Sequence, residues 1–265
     1  MNTSKVSTSI MKITPTIAAN LLKKNKPDNR DVRPGNVAKF VKELKSGNFK
    51  TTHQGIAFDQ DGFLTDGQHR LHAIVESGIP AEMMVTKGLD RDAFSVMDVG
   101  ARRTAGNILH CSPKIAQAVS LAIRMLSPGG NSSAVTPSEL QVAYEAIGHL
   151  AEELDAACNS NSVYFSSAPV RLGAIVLMLE GFDKDYILKQ YASLCRAHLS
   201  DLTPITEQWM AQHVRGSIKA IDKYDTLGRA LFALNPKNRN ALRLKTPDAH
   251  TAALYATGVL SRVIG

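Results

Sequence analysis

Apolar positions recur at two different periods along this chain, and the changes of period divide it into elements. Ile17, Leu21 and Leu22 fall at helical spacing behind Thr14 and Pro15, a cap residue followed by the imino acid that suits a first helical turn. This predicts a short helix ending near Asn25. The stretch "KPDNRDVRPG" is dense in proline, glycine and polar turn formers and reads as a loop. Val37, Phe40, Val41 and Leu44 predict a second helix, stopped by Gly47. The period then shortens. In "QGIAFDQDGFLTDG" two short apolar runs flank Asp-Gln-Asp-Gly, the composition of a hairpin turn. From Gln68 to Ser77 the helical period returns, with Leu71, Ala73, Ile74 and Val75 supplying apolar surface and Gly78 closing the segment. "AEMMV" predicts one more strand. The first residues are small and polar, and positions 1–11 read as a flexible tail.

Strand signals fade from Ser112 onward. "VTPSELQVAYEAIGHLAEEL" carries a capping box, with Thr136 as cap, Pro137 after it and Glu139 three residues on. "RLGAIVLMLEGF", "KDYILKQYASLCRAHL" and "TEQWMAQHVRGSIKAIDKY" also favour helix. The fold class expected is therefore α+β: a compact unit with a small mixed sheet over 12–110, followed by an all-helical domain over 111–265.

Composition narrows the class without deciding function. The 265 residues are 44% hydrophobic and 21% charged, ordinary for a globular protein. The net charge of +7 favours anionic partners such as nucleotides or nucleic acid. Cys111, Cys158 and Cys195 are scattered and odd in number, which provides neither a disulfide framework nor a metal knuckle. They read as buried thiols of a reducing, cytoplasmic compartment. No apolar run reaches the roughly 18 residues needed to span a bilayer, so no membrane partner is expected.

The stretch "FLTDGQHRLHAI", Phe63 to Ile74, places Gly67, Gln68, His69 and Arg70 at a strand-to-helix junction. Such a junction concentrates unpaired N–H groups and the positive end of a helix dipole, which suits a phosphate. Gly67 allows close approach to the backbone, Gln68 offers an amide, and His69 and Arg70 add side-chain donors. Asp66 can hold a magnesium water or orient a nucleophile. The alternative is plain capping, with Asp66 as the N-cap of a solvated helix start.

These residues carry a resemblance. "DGQHRLHAI", preceded by "GIAFDQDGFL" and by Asn29-Arg30, resembles the ParB/sulfiredoxin superfamily over residues 12–110. Gly67 to Arg70 are similar to the G-E-R-R box of ParB and more so to the G-C-H-R phosphate box of sulfiredoxins. Asn29 and Arg30 look like the early N-x-R box, and Asp98 with Arg102 in "DVGAR" has the spacing of the E-N-x-x-R box. The arrangement looks most like phage and prophage members with a D-G-Q-H-R-L motif. The resemblance implies a pocket for a nucleoside triphosphate, ATP or CTP, with Mg²⁺. Phosphates would rest on Gly67, Gln68, His69 and Arg70, with Thr52 and Gln54 at the pocket edge. Catalytic roles would fall to Asp66, His69 and Asp98, for hydrolysis or transfer of a phosphoryl group. Gln68 stands where sulfiredoxins carry cysteine, and Val99 where ParB carries asparagine, so neither sulfinic acid reduction nor ParB-type hydrolysis is implied.

Other candidates lie outside the motif. Arg102 and Arg103 could clamp a triphosphate or a DNA backbone. Lys237, Arg239, Arg243 and Lys245 gather near the end of the sequence without acidic neighbours and could contact DNA phosphates. The alternative reading is thus a DNA-binding protein or nuclease, with nucleotide as a switch or absent. His53, His69 and His72 with Asp59, Asp61 and Asp66 raise a metal site, though Asp59 and Asp61 read more simply as turn formers around Gly62. The helical domain is a candidate surface for a homodimer.

Overall fold

The computed structural model describes residues 6–27, 29, 31–91, 104–127, 134–158, 162–214, 222–245 and 247–265. Two compact units emerge, residues 1–102 and 103–265.

In the first unit, β1 (Ser7–Ile13) is followed by α1 (Pro15–Leu22) and α2 (Pro34–Lys45), then β2 (Ile56–Asp59), β3 (Leu64–Asp66), α3 (Gln68–Ser77) and β4 (Ala81–Leu89). The sheet order is β1-β4-β2-β3. β4 pairs antiparallel with β1 and parallel with β2, and β2 pairs antiparallel with β3. The sheet is therefore mixed. One face of it packs on the helices: Ile13, Ile56, Phe58, Leu64, Met83 and Val85 meet Ala18, Val37, Val41, Leu44, Leu71 and Ile74 in one buried cluster. Alternation along β4 produces this face, with Ala81, Met83 and Val85 inward.

Local chemistry sets the helix ends. Thr14 accepts the N–H of Ile17 at 3.3 Å with Pro15 at the first position of α1. Lys42 and Lys45 occupy the last turn of α2, where they oppose the negative end of its dipole. The tail expected over 1–11 is corrected from Ser7 onward, where β1 begins. Six of its seven residues are exposed, but all seven positions pair with β4, from Ser7 opposite Lys87 to Ile13 opposite Ala81.

The regular elements described in the second unit are all helices, its α-helices being α4 (Ala105–Leu109), α5 (Pro113–Leu126), α6 (Pro137–Ala157), α7 (Ala168–Leu179), α8 (Lys184–Arg196), α9 (Pro204–Val214), α10 (Lys223–Ala233) and α11 (Ala249–Ile264). α4 belongs here because Leu109 joins this core, which moves the boundary ahead of the expected residue 110. The capping box forms, with Thr136 accepting from the Glu139 N–H at 3.2 Å and Glu139 accepting from the Thr136 N–H at 2.9 Å. α7 is the central helix, buried continuously from Val170 to Met178. α10 packs against it at Gly173, where a Cβ would lie 2.7 Å from that of Ala230. No helix among the described residues is long and apolar enough to cross a membrane.

Candidate functional site

The strand-to-helix junction of the sequence motif is built by two glycines. Gly67 follows β3 and opens α3 with φ +96°, a left-handed conformation that a side chain would strain. A Cβ there would also lie 2.4 Å from Cγ2 of Ile56. Gly55 precedes β2, and its missing Cβ would fall 1.7 Å from the Met84 carbonyl oxygen. The chain thus turns from β3 into α3 hard against β2.

No side chain caps α3. The Asp66 carboxylate accepts the N–H of Gly67 at 2.7 Å, one residue short of the helix itself. Asp66 is therefore not the N-cap that the plain capping reading requires. That place belongs to Gly67.

The next three residues each hold a different segment. Gln68 is 2% exposed, and its Oε1 accepts from Asn25 Nδ2 at 3.1 Å while its Nε2 donates to Asn29 Oδ1 at 3.5 Å. Asn29 closes the set by donating to Asn25 Oδ1 at 2.8 Å. These three amides fasten the loop after α1 to the start of α3. His69 is 6% exposed and accepts the Arg33 N–H on Nε2 at 3.0 Å. A ring nitrogen that accepts carries no proton, so this imidazole is neutral and Nε2 cannot donate to an anion. Arg70 donates from Nη1 to the Gly55 carbonyl at 3.1 Å, and its guanidinium lies 5.2 Å from the Phe40 ring centroid. The expectation that Gln68 and His69 present side-chain donors to phosphate is corrected here. Both side chains are turned inward to position neighbouring loops.

The structure brings Asn29 to the motif through Gln68, and places Thr52 and Gln54 in the exposed segment leading to Gly55, where Thr52 Oγ1 accepts the Gln54 N–H at 3.2 Å. Arg30, Asp98, Arg102 and Arg103 lie outside the described residues. Lys237, Arg239, Arg243 and Lys245 are all exposed in the second unit, and none has an ion-pair partner among the described residues. Lys237 lies 5.1 Å from the Phe182 ring centroid. No group of three or more metal-ligating side chains occurs among the described residues. Asp59 is a turn former, its Oδ1 accepting the N–H groups of Asp61 at 3.0 Å and Phe63 at 2.9 Å. Asp61 is held in a two-bond pair with Arg91 at 2.6 and 2.8 Å, which lowers its pKa.

A second polar cluster escaped the sequence reading. Arg171, on the central helix, has a fully buried side chain and donates to Asp155 at 2.7 Å and to the Ser166 carbonyl at 3.1 Å. Its guanidinium lies 6.0 Å from the Tyr191 ring centroid. Two of the cysteines that looked scattered meet beside it: Cys158, after α6, hydrogen-bonds Cys195 on α8. Arg196 ties the same segments, donating to the Ala157 carbonyl at 2.7 Å. The bond from Cys195 pulls the Cys158 thiol down to about 6 against the opposing effect of burial, with Tyr191 and the Arg171 charge assisting, while the Cys195 thiol is pushed up. Positions 37 residues apart on separate helices carry no sequence signal of contact.

No protein-family model, curated protein or solved structure matches this chain.

Proposed function

We propose that the first unit is a ParB/sulfiredoxin-like domain that binds a nucleoside triphosphate, ATP or CTP, with its phosphates at the first turn of α3. One observation carries the reading: α3 starts on a left-handed glycine with no side chain capping it, beside the guanidinium of Arg70. The positive end of a ten-residue helix favours an anion, and Arg70 brings a cation to the same first turn. The small mixed sheet and the motif's position after β3 support the reading as well.

Asp66 adds a constraint. A triphosphate beside this carboxylate meets like charge, so a magnesium ion between them is the arrangement that brings both together. Asp66 would then hold the metal's water or orient an acceptor, and hydrolysis or transfer of the terminal phosphoryl group is the chemistry available. Gln68 and His69 enter as positioning residues, fixing the loops that flank the phosphates.

Titration calorimetry with ATP, CTP, GTP and ADP, with and without Mg²⁺, tests the site on wild type and Arg70→Ala. Micromolar binding of a triphosphate that requires Mg²⁺ and weakens by about tenfold or more in Arg70→Ala is expected, since a charged hydrogen bond contributes roughly 1.5–3 kcal/mol. Equal binding by an Arg70→Ala protein with an unchanged circular dichroism spectrum would remove phosphate from this helix.

A second reading, DNA binding or nuclease action by the helical unit, is favoured by the exposed Lys237, Arg239, Arg243 and Lys245. Its mark is an affinity for duplex DNA that falls with salt, with a shallower slope once these four are replaced.

A further inference from the structure

The first unit holds another concave feature at the opposite end of its sheet from Gly67. β2 runs from Ile56, against which Gly67 packs, to Asp59, and a cleft opens at the Asp59 end between α1 and the sheet. It encloses about 350 Å³, a volume at the small end of ligand pockets. Phe58 and Val85 form its buried floor, and Met11, Ile17 and Leu21 line it.

The sequence explains why the cleft exists. On the helix-facing side of β1, Ile13 and Met11 give way to Ser9 and Ser7, which stand opposite Val85 and Lys87. Two hydroxymethyl groups occupy positions where a close-packed layer needs bulk. α1 supplies Ile17 and Leu21 one turn apart, both only half-buried, and Met11 remains 38% exposed. Apolar surface is therefore left facing a cavity.

Charge at the rim has one sign. Lys24, one turn beyond Leu21, and Lys87, two residues beyond Val85, both line the cleft, and both side chains are exposed with no hydrogen-bond or ion-pair partner among the described residues. The carboxylate that shares the cleft, Asp59, is 3% exposed, and its Oδ1 is turned into the hairpin. Asp61, next in the hairpin, is paired with Arg91. Two ammonium groups thus stand over an apolar floor, and the one carboxylate among the described lining residues, Asp59, is buried with an oxygen held by the hairpin.

We propose that this cleft binds a compact amphipathic carboxylate, its apolar body on Phe58, Val85 and Leu21 and its carboxylate between Lys24 and Lys87. The site is separate from the nucleotide reading and does not depend on it.

Titration calorimetry of the full chain with octanoate, 1-octanol and octylammonium separates the terms. Octanoate should bind saturably, one per chain, with 1-octanol roughly three- to tenfold weaker and octylammonium weaker still, the range two exposed ion pairs supply. The double variant Lys24→Met, Lys87→Met should reduce octanoate to the affinity of 1-octanol. Both replaced side chains are exposed, so the fold is expected to survive, and circular dichroism checks it. Arg70→Ala should leave octanoate binding unchanged. The proposal is overturned by no saturable binding, by equal binding of all three probes, by an unchanged octanoate affinity in the double variant, or by loss of octanoate binding in Arg70→Ala.

Discussion

Gly67 and Gly47 share a left-handed backbone but not a neighbourhood. At Gly47 (φ +71°) a Cβ would meet nothing within 4 Å, whereas at Gly67 (φ +96°) it would press on Ile56 at 2.4 Å. Gly47→Ala should therefore cost only backbone strain, about 1 kcal/mol. Gly67→Ala adds the displacement of a buried side chain, for about 2–4 kcal/mol in all. Urea denaturation of the two variants compares them directly, and equal losses would mean that Gly67 is required for its dihedral angle alone. Gly55 is tighter still, because the atom in its way is a backbone carbonyl that cannot rotate aside. The phosphate reading of Gly67 and its structural role are not in competition: the glycine that lets β3 turn against β2 is the one that leaves the helix end bare of a side chain.

At the scale of elements, α3 is the hub of its unit, since its first turn binds the loop after α1, the start of α2 and the segment before β2. Gln68→Leu would keep the volume and remove the amide that Asn25 and Asn29 share. Unpaired polar groups left partly buried should lower stability by about 1–3 kcal/mol with an unchanged denaturant slope. A loss of a few tenths would show instead that water replaces the amide. The limits of α3 were legible in the sequence because glycines mark both ends and the apolar period between them is unbroken. β1 was not legible. Six of its seven residues are exposed and only Ile13 is buried, so an edge strand with a wet outer face has the composition of a tail. The inward turns of Gln68 and His69 were equally hidden, because their partners lie 36 to 43 residues away and no local pattern encodes such pairs.

For the whole molecule, the thiol pair links stability to pH. In the folded chain the Cys158 thiol is held below the ordinary thiol range and the Cys195 thiol above it. In the unfolded chain both titrate near pH 8.5. Between the lowered Cys158 value and the ordinary thiol range the unfolded chain holds more protons than the folded one, so stability rises with pH. Above that range the unfolded chain has lost both protons while the folded pair keeps one, so the contribution falls again. Urea denaturation at a series of pH values should show stability rising with pH below the ordinary thiol range, a rise that Cys158→Ser abolishes. A profile identical in wild type and variant would mean that the pair carries no shared proton. The pair reports on the second unit's core without any ligand.

β1 also sets an order of events during synthesis. Among the described residues its one neighbour in the sheet is β4, and residues 14 to 80 separate the two. At about 5–20 residues per second, a nascent chain carries β1 unpaired for roughly 3 to 14 s before Ala81 is made to meet Ile13. Throughout that wait both edges of β1 are open, and Val6, Ile10 and Met11 are among its exposed apolar side chains or beside it. The helices α1 to α3 can form in the interval from local contacts. The first strand of this unit to be made is therefore the last to be joined, and any slowing of translation between the two prolongs the period in which a newly made chain can pair with another instead of with itself.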